Sequence, residues 1–179
     1  MPNWCYNFVY LTCPNKEMYD KLKLAIIDDA WFETFAPLGL DLEKFPDGWE
    51  YKKALETWGT KWGPSEFEIL NDDDEDFLID IGFNTAWGPP QGVYKKMFDD
   101  FGIESTAFYY ETGCEFFGWS KYTKDICFDD SYTLPSSKKE LQKIQIDLPC
   151  ELNDFMEPTW DALQEQWLED NESDDEMDE

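Results

Sequence analysis

Residues 5–12 (CYNFVYLT) are rich in aromatic and β-branched side chains and predict a first strand. Pro14-Asn15 ends it, and Asn15 is placed to cap a helix over 15–29. Met18, Leu22, Ile26 and Ile27 share one face of that helix, with Lys16, Lys21 and Lys23 outside. Residues 31–49 carry Pro37, Gly39, Pro46 and Gly48 and predict irregular chain, with a helical turn at 31–35 or 50–57. EFEIL (66–70) and FLIDIGF (77–83) predict a hairpin joined by a run of acids. Pro89-Pro90 opens a helix over 90–101 whose apolar face is Val93, Tyr94, Met97, Phe98 and Phe101, and Gly102 closes it. STAFYYE (105–111) and CEFFGWSKYT (114–123) predict a second hairpin across Thr112-Gly113, followed by a short strand at 125–129.

Beyond Tyr132 the periodicity weakens. Residues 138–148 fit either a short helix or a strand. Pro158 reads as the start of a helix over 158–169 with Trp160, Leu163, Trp167 and Leu168 inward. Glu169 to Glu179 hold eight acids and no base, the composition of a disordered tail. The order strand, helix, strand, strand, helix, strand, strand is that of a split β-α-β unit in the α+β class, with helices on one face of an antiparallel sheet. The expected organisation is a domain at 1–130, a packed helical extension at 131–168 and an acidic tail at 169–179.

Charge changes this picture most. The chain has 41 acids and 14 lysines, no arginine and no histidine, for a net charge of -27 over 179 residues. Such a field repels phosphate and anionic lipid and attracts basic surfaces, of which nucleic-acid-binding proteins are the commonest. Aromatics at 18% separate it from acidic disordered chains and supply a core. The cysteines, Cys5, Cys13, Cys114, Cys127 and Cys150, are odd in number and lack a C-x-x-C pair. That predicts free thiols in a reducing cytosol, with Cys5, Cys114 and Cys127 packed within apolar strands. No signal-peptide pattern and no membrane-length apolar run is present, so a soluble protein of the cytoplasm is expected.

Four segments, in order, resemble one family. They are Met1-Pro2-Asn3-Trp4-Cys5 with Asn7; Trp58-Gly59-Thr60-Lys61-Trp62; Thr85-Ala86-Trp87 with Pro89-Pro90; and Tyr110-Glu111 with Gly113, Phe116 and Gly118. Over residues 1–125 the chain resembles the YubB ferredoxin-like domain family, small phage and plasmid proteins of unknown function. The resemblance implies a ferredoxin-like α+β fold and a mobile-element origin, and it implies no activity. The extension after about 130 and the extreme charge depart from the family pattern.

Chemistry is constrained mainly by what is missing. Without histidine the usual neutral-pH acid–base group is absent, and no G-x-x-x-x-G-K-[ST] phosphate cradle occurs. The acidic run fails EF-hand spacing, because Phe77 stands where glycine is required and Phe83 where the bidentate glutamate is required. We therefore expect no cofactor or metal site and no enzyme, with catalysis by a carboxylate pair as a third reading ranked below the two that follow. The expected function is a phage-encoded nucleic-acid mimic that inhibits a host DNA- or RNA-binding or defence protein, of restriction or CRISPR type, in the host cytoplasm. The partner is a basic host protein, with no direct contact to nucleic acid or membrane. The partner-binding residues are Asp72, Asp73, Asp74, Glu75 and Asp76, supported by Asp99, Asp100, Asp129 and Asp130. The alternative is a small-ligand or peptide pocket lined by Asn3, Trp4, Trp58, Lys61 and Trp87, with the charge serving solubility.

Overall fold

The computed structural model describes the backbone of residues 3–176 and the side chains from Asn3 to Leu168. The chain divides into two units, Met1–Tyr132 and Thr133–Glu179. The first contains strand β1 (Trp4–Thr12), helices α1 (Lys16–Ile27), α2 (Trp31–Phe35) and α3 (Tyr51–Trp58), and the hairpin β2 (Ser65–Asp73) and β3 (Leu78–Ala86). Helix α4 (Gln91–Phe101) and strands β4 (Glu104–Glu111), β5 (Phe116–Tyr122) and β6 (Cys127–Thr133) follow.

The sheet order is β2-β3-β1-β4-β5-β6. β1 lies antiparallel between β3 and β4. The first four strands in this order, with α1 and α4 as crossovers, make the ferredoxin-like α+β arrangement, and β5 and β6 extend it beyond β4. Strand alternation decides which face meets the helices. Cys5, Asn7, Val9, Leu11 and Cys13 are buried, whereas Trp4 and Tyr10 are exposed. Val9 and Leu11 join Ile79, Ile81 and Phe83 of β3 in one core with Tyr19 and Leu22 of α1, Trp31 and Phe35 of α2, and Val93, Tyr94 and Met97 of α4. Trp31 and Phe83 meet edge to face at 5.4 Å. The opposite face carries a ladder of rings, with Tyr10 on Phe108 at 6.2 Å and Phe108 stacked on Trp119 at 6.0 Å.

Local signals act as expected at several ends. The Asn15 side chain accepts the Met18 N–H at 3.0 Å and starts α1. Gly59 and Gly102 end α3 and α4 in the left-handed conformation. Both 31–35 and 51–58 are helical, so neither expected turn replaces the other. β2 continues past residue 70 to Asp73, which makes Asp72 and Asp73 strand residues. β6 begins at Cys127, two residues after the expected start.

In the second unit 138–147 resolves as helix α5 (Lys138–Asp147), with the Ser137 side chain accepting the Glu140 N–H. Helix α6 (Cys150–Glu176) begins eight residues before Pro158, which corrects the expected start at that residue. Leu152, Met156 and Trp160 recur at i, i+4 and i+8 and are buried, while Pro158 is exposed. A single exposed proline sacrifices one backbone bond and leaves the inward stripe continuous. Helix α6 continues to Glu176, so the backbone of 169–176 is helical where a disordered tail is expected, and the side chains from Glu169 and residues 177–179 lie outside the described residues.

The close approach of α3 to α4 gives a paired test. A Cβ on Gly92 would meet the Thr57 carbonyl oxygen at 2.1 Å, whereas one on Gly63 would meet nothing within 4 Å. Gly92→Ala lowers unfolding stability by about 1–3 kcal/mol, and Gly63→Ala changes it by less than about 0.5 kcal/mol. Urea denaturation of both variants measures the contrast.

Candidate functional site

The nine acids expected to face a partner lie in two places. Thr12 stands opposite both Leu78 of β3 and Glu104 of β4. That register brings the 72–76 segment and the C-terminal turn of α4, with Asp99 and Asp100, to one end of the sheet. Asp129 and Asp130 sit apart, on the outermost strand β6.

Four of the seven acids at the sheet end, Asp72, Asp74, Asp99 and Asp100, have lysines beside them. Asp72 pairs with Lys23 and accepts a hydrogen bond from the Tyr19 hydroxyl. The hydrogen bonds from Lys23 and Tyr19 hold its carboxyl below the ordinary carboxylate value. Asp74 lies 4.0 Å from Lys16, and Asp99 and Asp100 lie 2.5 and 3.8 Å from Lys95 and Lys96 at i,i+4 spacing. Asp73 is spent on the turn itself, where its Oδ1 accepts the N–H groups of Glu75 and Asp76 at 2.9 and 3.1 Å. Asp129 accepts hydrogen bonds from the Tyr109 hydroxyl and from Gln91 Nε2, each at 3.0 Å. Desolvation there, with Asp130 adjacent, raises its carboxyl above the ordinary value despite the Tyr109 bond.

The opposite end of the sheet gathers the four motifs. Trp87 N–H donates to the Asn3 carbonyl at 3.0 Å. The Thr60 hydroxyl donates to the Ala86 carbonyl, and Asn7 Nδ2 to Thr85 Oγ1, both at 2.8 Å. Asn3 Nδ2 donates to Cys114 Sγ at 3.3 Å. Glu111, 2% exposed, accepts the Gly113 N–H at 2.7 Å and the Cys114 N–H at 2.5 Å, which compensates its burial. The motif residues thus form one hydrogen-bonded corner joining β1, β3, β4 and the segment after α3.

The ring cluster at this end differs from the expected pocket. Trp58 is buried against Phe32 and donates from Nε1 to the Ala36 carbonyl at 2.7 Å, so it is a core residue. Lys61 Nζ lies 4.2 Å from the Trp62 ring centre and 4.8 Å from that of Trp87. Trp4 and Tyr51 extend the row at either side, 6.4 Å from Trp62 and 6.1 Å from Trp87. Trp62 and Tyr51 are the members that the sequence pocket lacked. The cation–π contacts hold the ammonium over the rings. Trp87 has φ +74, a conformation rare for a bulky residue.

Two thiol expectations are corrected. Cys5 is buried, and burial, with the Glu111 charge second, pushes its thiol well up. Cys13 is pushed up to about 12 by burial. Cys114 and Cys127 are exposed, because β5 begins at Phe116, leaving Cys114 in the turn, and Cys127 opens β6. Among the described residues no group of three His, Cys, Asp or Glu could hold a metal ion, and no helix is long and apolar enough to cross a membrane.

A third acidic element is α6, which has no lysine along its length. Asp154, Glu157, Asp161 and Glu165 are exposed at spacings of three, four and four residues. At about 100° per residue they fall on the side opposite Leu152, Met156 and Trp160. Among the described residues none of the four has an ion pair. Reading Pro158 as a helix start hides Asp154 and Glu157 from this stripe. The helical period, followed back from Trp160 through Met156 to Leu152, is the signal that reveals it.

No family model and no curated protein matches the chain. Among solved structures it is similar to the protein api92 from Yersinia pseudotuberculosis, of the DUF1281 family, with a TM-score of 0.51 and 9% identity. The match covers 76% of this chain and 99% of that one. At such identity the likeness concerns the fold, the level to which the motif resemblance to YubB ferredoxin-like domains is also held.

The Lys23–Asp72 pair sets a pH dependence. The folded carboxyl titrates below its ordinary 3.8, so its stabilisation is whole above that value and is lost as pH falls through the folded one. Asp72→Asn lowers stability at neutral pH by a few tenths to about 1 kcal/mol, discounted for its exposure. Thermal melts taken at falling pH show that difference shrinking once the pH passes below 3.8 and the folded carboxyl takes up its proton.

Proposed function

We propose that this protein is an acidic interaction protein that mimics nucleic acid and occupies the phosphate-binding groove of a basic nucleic-acid-binding or defence protein. It acts by occupancy, in a one-to-one complex, without turnover. The observation that carries this reading is the exposed stripe Asp154–Glu157–Asp161–Glu165 on a helix that holds no base. The 72–76 segment is a weaker candidate, since its acids are partly matched by Lys16 and Lys23.

Helical rise places successive carboxylates of the stripe about 4.5–6 Å apart along the axis. That is sparser than duplex DNA, at about one charge per 1.7 Å of axis. It is nevertheless a regular row of one sign, reinforced by a molecular charge of -27. A long-range field of this size raises association rates with cationic partners and makes them salt-dependent. The motif resemblance to phage and plasmid proteins supports a host protein as the target.

The protein is immobilised and exposed to host lysate at low salt, and bound material is challenged with duplex DNA. The reading predicts retention of nucleic-acid-binding proteins that DNA displaces and high salt releases. It also predicts loss of roughly tenfold or more in affinity when Asp154, Glu157, Asp161 and Glu165 become Asn and Gln. Retention indifferent to both DNA and these substitutions overturns it.

A further inference from the structure

Strand β2 forms one margin of the sheet and is hydrogen-bonded to β3 alone among the described strands. One row of its N–H and C=O groups therefore has no neighbouring strand, the usual template for adding another chain. Beside this margin runs a groove of about 620 Å³ between the end of α1 and β2. Its apolar lining comes from Ile26, Ile27, Phe67 and Ile69, and its acidic lining from Asp29, Glu66 and Glu68. No lysine lines it among the described residues. Ile27 and Ile69 remain 63% and 37% exposed, so apolar surface is left open beside an open backbone edge.

Sheet margins are commonly guarded by bulges and charge, and β2 has both. Its register shifts between Ser65 and Glu68 and again between Ile69 and Asn71, and Glu66 has φ +50. Bulges shorten the stretch over which a flat strand can pair. The charge is selective in what it guards against. A second copy of this chain brings another -27 and is repelled. A cationic strand is drawn in by the same carboxylates.

We propose that the β2 margin is a docking site for an extended, basic segment of a partner protein, added as a seventh strand. Alternate apolar side chains of that segment enter the groove over Ile27, Phe67 and Ile69. The intervening lysines or arginines turn to the other face of the sheet, toward Glu66 and Glu68, where Glu66 also accepts from Asn84 Nδ2, and Asp29 adds its charge on the groove side. Main-chain hydrogen bonds supply affinity, and the alternation supplies specificity. The surface shares no residue with the α6 stripe, and its test is independent of that reading.

The probe is a fluorescent, acetylated octapeptide of alternating lysine and valine, titrated against the full chain. A second peptide has the same side chains with alternate backbone nitrogens methylated. The proposal predicts saturable binding of the first, with amide exchange slowed roughly tenfold or more in β2 and not in β6. The methylated peptide binds at least roughly tenfold more weakly, because methylation removes the ladder donors and leaves the charge. Asp29→Asn with Glu66→Gln and Glu68→Gln weakens binding and flattens its salt dependence. The α6 stripe variant binds the octapeptide as the parent does, which separates this site from the mimic reading. Equal binding of both peptides, protection away from β2, or no saturable binding overturns the proposal.

Discussion

With 41 carboxylates and 14 ammonium groups, most acids in this chain have no lysine to pair with. They must stay in water or find donors, because burying an unpaired carboxylate is strongly unfavourable. The fold obeys this constraint at each level. Glu111 is buried where two backbone N–H groups meet it. Lysines stand where the β2–β3 turn and α4 concentrate acids, at Lys16, Lys23, Lys95 and Lys96. Exposed pairs of this kind each contribute little stability. Their larger consequence is spatial, since they offset part of the charge at one end of the sheet.

The scaffold makes that separation possible. β1 is held between β3 and β4, so Val9 and Leu11 enter the helix-side core and its two ends become two distinct surfaces. At one end Asp72 and Asp74 of the turn and Asp99 and Asp100 of α4 meet lysines. At the other the Asn3, Thr60, Thr85 and Glu111 hydrogen bonds tie four chain segments into a corner that presents Trp4, Trp62, Trp87 and Tyr51 around Lys61. α6, in the second unit, carries acids without lysines. Lysine placement therefore decides which acids are matched, and acid count alone does not show it.

Much of the first unit was legible because local chemistry and tertiary packing agree there. The 3.6-residue period of α1, the Asn15 cap, the prolines before α4 and the alternation in β1 all favour the same elements. The ferredoxin-like order followed from those elements. Tertiary effects hid the rest. Proline at 158 looked like a helix start, but burial of Leu152, Met156 and Trp160 carries α6 across it. Cys114 lies within an apolar-looking segment, yet the Glu111 bonds to the N–H groups of Gly113 and Cys114 hold that stretch as a turn. Among the candidate site residues, acidity was visible and compensation was not, because Lys23 and Asp72 are far apart in sequence. The tryptophan motifs were visible too, but only packing separates Trp58 in the core from Trp62 at the surface.

The central proposal is that lysine placement leaves the uncompensated negative charge greatest along the exposed stripe of α6. Residue-resolved relaxation enhancement by a cationic and an anionic nitroxide of equal size measures the potential near each proton. The account predicts the largest excess of cationic over anionic enhancement at Asp154, Glu157, Asp161 and Glu165, with smaller excess at 72–76 and 99–100. An even excess over the whole surface, or a maximum at the 72–76 turn, contradicts it.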